Sequence, residues 1–226
     1  MALVKYGEFM VLQSGKTGGT INSKGKGGAY TKNFVIPTNP RTSYQIAARN
    51  LQTSFAQNWR NLTQVQRDAW NAAATAFPYV NRVGDSKILS GIALYNKLNV
   101  NLTNAGTAAI TVPPVPSGVI AVISVVPTVI AGVTTVAYTP TPVPAGTSFL
   151  VWATPGISPG IKYVTNRFRL ITKIAAAGVS PLIVTGFYNA RFGVAPVGSR
   201  VFFGLQPINA VTGEAGIMLV ASTIAI

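Results

Sequence analysis

The spacing of apolar positions changes character twice along the chain. Over residues 1–36 no period holds for long. Glycine and lysine interrupt two short β-prone pieces, Phe9 to Leu12 and Ala29 to Ile36, and the pattern predicts a loose hairpin or an extended arm. Over residues 37–105 the period becomes helical. Ile46, Leu51, Phe55, Trp59 and Leu62 recur every three to five positions, which places them on one helix face. Pro40 suits a helix start, because its missing N–H costs nothing there. Thr63 with Gln66 three residues on reads as a capping box that opens a second helix carrying Ala69, Trp70, Ala73 and Phe77, and Pro78 stops it. Ser90 is placed to cap a third helix bearing Leu94, Tyr95, Leu98 and Leu102. Three short helices with Trp and Phe anchors predict a small bundle.

Residues 106–118 (GTAAITVPPVPSG) read as a linker or a proline-edged strand. From residue 119 to 226 the period shortens to that of strands. Val, Ile, Thr, Phe and Tyr dominate, with Gly and Pro every eight to twelve residues. Strands are expected at Ile120–Val126, Val133–Tyr138, Ser148–Ala153, Arg167–Ile174, Leu182–Thr185, Arg200–Leu205 and Gly216–Ala221, with Asn209–Gly216 (NAVTGEAG) as a hairpin turn. About seven short strands at this spacing predict an antiparallel β-sandwich. The expected fold class is α+β: a glycine-rich basic arm (1–36), a three-helix bundle (37–105), a linker (106–118) and a β-sandwich (119–226).

Charge changes this picture more than length does. Of 226 residues 48% are hydrophobic and only 10% charged, and 18 Lys and Arg stand against 4 Asp and Glu, a net +14. Residues 1–105 hold 12 basic and 3 acidic side chains, a net +9; residues 106–226 hold 6 and 1, a net +5. So basic a chain attracts polyanions or acidic protein surfaces. Cys and His are absent, which excludes disulfides and Cys or His metal sites. The first residues show no apolar signal-peptide core, with Glu8 where one would lie, so no secretory leader is expected. The apolar run from Ala105 to Tyr138 is cut by Pro113, Pro114, Pro116 and Pro127, whereas a spanning helix needs about 20 uninterrupted apolar residues.

Catalytic patterns lack parts. Ser14–Thr17 (SGKT) matches only the end of a phosphate-binding loop, because Met10 stands where the first glycine is required. Ser23 and Lys26 match S-x-x-K, but in a glycine-rich stretch rather than a desolvated pocket that would make the lysine a base. The four carboxylates Glu8, Asp68, Asp85 and Glu214 are too scattered for a local acid pair or a metal cluster. No enzymatic activity, cofactor or metal is expected. The candidate contacts for a polyanion or a neighbouring subunit are Lys16, Lys24, Lys26 and Lys32 in the glycine-rich arm, and Arg41 just after it.

The order of several segments is similar to that in a group of uncharacterised proteins from tailed phages and prophage regions. They are GKTGGTINSKGKGGAYTKN, PTNPRT at Pro37–Thr42, WRNLTQVQRDAWN at Trp59–Asn71, NRVGDSKILSGIALYNKLN at Asn81–Asn99 and VWATPGISPGIKYV at Val151–Val164. The resemblance implies a virion or morphogenesis role, and the expected function is a virion structural protein, capsid-associated or of decoration type, assembled in the bacterial cytoplasm. Its partners would be other virion proteins, capsid subunits above all, in an oligomer or repeated assembly with no membrane. Residues 55–74 also resemble the second and third helices of an HMG box, and 89–99 its first, in permuted order. That implies the alternative, nucleic-acid binding or genome packaging with DNA contact through the basic arm. SRVFFGLQPINAVTGEAGIMLV (Ser199–Val220) is similar to the closing strands of fibronectin type III or immunoglobulin-like modules. Such modules suit subunit contacts, or a host-surface adhesin reading through loops such as Pro155–Lys162.

Overall fold

A computed structural model of the chain describes residues 2–3, 7–8, 12–25, 28–36, 38–80 and 86–226. The architecture is α+β, in two compact units, Met1–Ile46 and Ala47–Ile226.

The first unit is a four-stranded antiparallel sheet. Its strands are β1 (Ala2–Leu3), β2 (Gly15–Thr17), β3 (Thr20–Gly25) and β4 (Gly28–Asn33), in the order β1-β4-β3-β2. The expected hairpin is present as β3 and β4, which pair from Thr20↔Asn33 to Gly25↔Gly28. The edges differ from expectation. Of the piece placed at Phe9 to Leu12, residues 9–11 lie outside the described residues and Leu12 is in no strand, while β4 stops at Asn33, short of Ile36. The sheet closes on a polar cluster rather than on apolar side chains. Asn22 is buried, its Oδ1 accepts from the Thr31 hydroxyl at 2.6 Å, and its Nδ2 donates to Thr17 Oγ1 at 3.5 Å.

Helix α1 (Ser43–Asn61) starts three residues after Pro40. Thr42 sets the start, because its hydroxyl accepts from the Gln45 N–H at 3.3 Å. Ile46, expected on the buried face, is 43% exposed.

In the second unit, Thr63 caps α2 (Gln64–Ala73) through the full capping box with Gln66. A 3-10 turn (Ala74–Ala76) and a two-stranded ladder of β5 (Tyr79–Val80) and β6 (Ser86–Lys87) lead to α3 (Gly91–Ala105). Ser90 occupies the cap position of α3, but its hydroxyl makes no capping bond. Asn71 of α2 caps instead, accepting from the Gly91 N–H at 3.1 Å. A β-carbon at residue 91 would meet that same Asn71 side chain, so the bond needs glycine there. Phe55, Leu62, Trp70, Leu94, Tyr95 and Leu98 form the helical core. Edge-to-face contacts of Tyr95 with Phe55 and Trp70, at centroid distances of 6.1 and 5.3 Å, order it.

Residues 106–118 are latched rather than free. The Trp70 indole N–H donates to Thr111 O at 2.9 Å, and the Ile110 N–H donates to Asn99 Oδ1 at 2.7 Å. The strands that follow are β7 (Ser124–Ile130), β8 (Val133–Thr139), β9 (Thr147–Ala153), β10 (Arg169–Ile174), β11 (Leu182–Ile183), β12 (Arg200–Asn209) and β13 (Leu219–Ile224). Two antiparallel sheets result, in the orders β11-β8-β7 and β10-β9-β12-β13. Their facing side chains, among them Val129, Val136, Phe149, Val151, Val201 and Phe203, form one core.

The first expected strand is displaced by four residues, so that β7 contains Pro127. That is tolerated because β7 is the last strand of its sheet and a proline there breaks no internal ladder. The strand expected over Leu182–Thr185 ends at Ile183 and gives way to a helix, α4 (Thr185–Phe192). Tyr188 of this helix is fully buried in the common core. The other face of β9 and β12 is also covered. Ala105 of α3 packs with Leu150 and Ile208, flanked by Trp152 and Leu170. The three helices are therefore not a separate bundle, since α3 serves both the helical core and the sheet.

Candidate functional site

The sheet register sorts the candidate cations by face. Lys16 on β2, Ile21 on β3 and Lys32 on β4 are directly opposite one another. Both lysines therefore project from one side of the sheet, two strand spacings or about 10 Å apart. Lys24 is an odd number of residues from Ile21 on β3 and projects from the other side, with Asn22 and Thr31. Lys16, Lys24 and Lys32 are exposed. Lys26 lies outside the described residues. The Lys16 ammonium stands 3.9 Å from the centre of the Phe34 ring, a cation–π contact that holds it against the sheet. Arg41 is exposed on the segment before α1, in the left-handed region (φ 47°), with its N–H on Asn39 Oδ1 at 3.3 Å. The sequence grouped four lysines in one arm, with Arg41 after it; among the described residues, the fold brings Lys16 and Lys32 to one sheet face.

Two of the carboxylates make structural hydrogen bonds. Asp68 is an exposed helical charge that accepts from Gln64 Nε2 at 2.8 Å. Glu214 closes the turn after β12. Its Oε2 accepts from the Thr212 hydroxyl and from the Ser117 N–H, both at 2.9 Å. Asn209 completes the latch, donating from Nδ2 to Ser117 Oγ at 2.9 Å and to Gly118 O at 3.0 Å. Asp85 lies outside the described residues. Among the described residues no group of three or more acidic side chains could hold a metal ion.

Open clefts in the second unit differ in chemistry. One, about 630 Å³, runs between Ser117–Ile120 and Ala145–Thr147 and is lined without any ionisable side chain. A second, about 470 Å³, sets Lys97 and Glu214 among apolar neighbours including Phe77, Leu98 and Ile217. A third, about 300 Å³, is lined by Pro155, Arg167, Arg169 and Phe192. Burial pushes three tyrosines upward, Tyr95, Tyr138 and, to about 12, Tyr188. Tyr188 donates its O–H to Thr154 O at 3.1 Å, and so acts as a buried strut.

One large surface carries no charge at all. On the outward side of β7, β8 and β11 the cross-strand pairs are Ser124↔Thr139, Val126↔Ala137, Thr128↔Thr135 and Ile130↔Val133, with Ile183 opposite Thr135. Val126, Ile130, Val133 and Ile183 are exposed, and Thr128 and Thr135 are hydrogen-bonded to each other at the centre. Sequence reasoning placed the strands but missed this face. The alternation of strand residues was its signal, because each outward position in these strands is Ser, Thr, Ala, Val or Ile.

No family model, no curated protein and no solved structure matches the chain. No helix among the described residues is long and apolar enough to cross a membrane.

Proposed function

We propose that this chain is a virion structural protein, capsid-associated or of decoration type, that works by binding other virion subunits in a repeated assembly. The observation that carries the reading is the charge-free outer face of β7, β8 and β11 in a chain of net charge +14. Burying that face removes apolar surface from water and strands no charge, which suits a protein partner. A polyanion would gain nothing from it. The Lys16–Lys32 side of the first unit then supplies a complementary contact for an acidic groove on a capsid subunit. The two sheets of the second unit are read as a β-sandwich of fibronectin III-like connectivity. Supporting this are the strand orders β11-β8-β7 and β10-β9-β12-β13 around one core.

The test is co-sedimentation of the purified chain with DNA-free capsid shells from the same genome, across a salt series. Saturable binding that survives salt, and that is lost in Val126→Asp/Ile183→Asp, is the expected outcome. Retained thermal unfolding of the double variant guards against a folding defect. Absence of shell binding by the parent chain overturns the proposal.

A further inference from the structure

Five of the six cations of residues 106–226 gather near one end of the second unit's larger sheet. Strand β9 ends there at Ala153, opposite Arg169, which opens β10, and Arg200, which opens β12, is bonded through its backbone to Ile157 in the loop after β9. Lys162 and Arg167 lie in that same loop, and Arg191 lies in the last turn of α4. The only carboxylate side chain of residues 106–226 is Glu214. Its carbonyl accepts from the Asn209 N–H at 2.9 Å, at the far end of β12. Ten extended residues separate the two ends, about 30 Å, which is several screening lengths at physiological salt. Glu214 is therefore too far away to neutralise that end.

The end is also shaped and aromatic. Arg169 Nη1 donates to Asn166 O at 2.9 Å and to Phe168 O at 2.8 Å, which holds the guanidinium in place, and Arg169 lines a cleft with Arg167, Pro155 and Phe192. The support is rigid: Tyr188 bonds Thr154 O, while the Thr154 hydroxyl accepts from the Phe202 N–H at 3.1 Å. Tyr163, in the same loop between Lys162 and the buried Val164, is 77% exposed, and Phe187 on α4 is 53% exposed. Cations interleaved with exposed aromatic rings are what a single-stranded nucleic acid requires, since phosphates meet the cations and unpaired bases stack on the rings. A duplex hides its bases from such stacking.

We infer that this basic sheet end, with Arg167 and Arg169 as phosphate contacts and Tyr163 as a stacking platform, binds single-stranded nucleic acid. This site is built from residues of the second unit alone and does not rest on the virion reading.

The experiment is fluorescence anisotropy of the full chain with a labelled oligo-dT of twenty nucleotides, a duplex of equal length and heparin, over a salt series. Expected is binding to oligo-dT that weakens with salt and exceeds binding to the duplex. Arg167→Ala/Arg169→Ala should weaken it about tenfold or more, and Tyr163→Ala about fivefold or more. Lys16→Ala/Lys24→Ala/Lys32→Ala should change it less than twofold. Because Arg169 also holds its own loop, Arg167→Ala alone and Lys162→Ala keep the result readable if the double variant unfolds. No binding to oligo-dT overturns the inference. So does loss confined to the lysine variant. Equal binding to oligo-dT, duplex and heparin with no effect of Tyr163→Ala reduces the surface to general polyanion attraction and overturns it as well.

Discussion

The two units each contain an antiparallel sheet, and the sheets are held by different physics. In the first, the interior position on β3 is Asn22, bonded to Thr17 and Thr31, and the strands are built of Gly, Lys, Thr, Asn and Ser with few apolar side chains. In the second, Val136, Phe149, Val151, Val201, Phe203 and Leu205 are all fully buried between two sheets. Burying apolar area contributes about 25 cal/mol per Å², whereas a hydrogen bond exchanged with water contributes only about 1 kcal/mol net. The comparison teaches that the strand ladder alone does not make a stable layer. The second unit can hold a rigid binding end because its core is apolar on the inner side and covered by α3 on the other.

The largest expected effect attacks that core. Phe203→Ala should destabilise the second unit by about 3–5 kcal/mol in denaturant unfolding, through lost burial and the cavity left behind. Hydrogen exchange in residues 15–33 should not change; a shared loss would break the comparison. Next is Gly213→Ala. Gly213 has φ +77°, and an added β-carbon would press on the backbone carbonyl of Leu98, while Asn101 Nδ2 donates to the Gly213 carbonyl at 2.8 Å. A cost of about 1–3 kcal/mol is expected in thermal unfolding, because the turn cannot both relax its backbone and keep its seat on α3. Glu214→Ala removes the acceptor for Ser117 N and Thr212 Oγ1. It should cost about 1 kcal/mol or slightly more, and should speed exchange of the Ser117 amide.

The pH dependence sharpens the same contrast. Burial pushes Tyr188 up to about 12 from the ordinary value of 10. The folded state then holds this proton more tightly than the unfolded chain. The stability linked to it is complete below pH 10 and is lost as pH rises toward 12. Alkaline unfolding of the second unit should therefore steepen above pH 10, and Tyr188→Phe should flatten that limb while losing the bond to Thr154 O. The smallest effect belongs to the first unit. Asn22→Ala should cost about 1 kcal/mol, seen as faster exchange in β2, β3 and β4 with little change in the main unfolding transition.

Much of the helical region was legible because its signals are local. The Thr63–Gln66 capping box, the Trp70 face and the Leu94–Leu98–Leu102 stripe each need only a few neighbouring residues. The α4 helix was not legible. Its sequence, TGFYNARF, carries Gly186 and β-prone aromatics, and glycine costs about 1 kcal/mol in a helix relative to alanine. Burial of Tyr188 in the common core accompanies the helix despite that propensity. The cap of α3 was misread for a related reason. Ser90 has the right residue type at the right place, but Asn71, nineteen positions earlier, supplies the acceptor.

The candidate site divides along the same line. Composition alone determined that the chain is strongly basic, lacks His and Cys chemistry, and alternates between helical and strand periods. Only the tertiary structure decided which cations act together. A strand has period two, so one step of register decides whether Lys24 joins Lys16 and Lys32 or faces away from them. Likewise Arg167, Arg169 and Phe192 reach one cleft, with Arg200 nearby, only because β9 and α4 end, and β10 and β12 begin, at the same side of the sheet. Charge and periodicity are properties of residue types and can be read along the chain. Convergence of residues some thirty positions apart depends on strand order, and that is set by which apolar faces bury against each other.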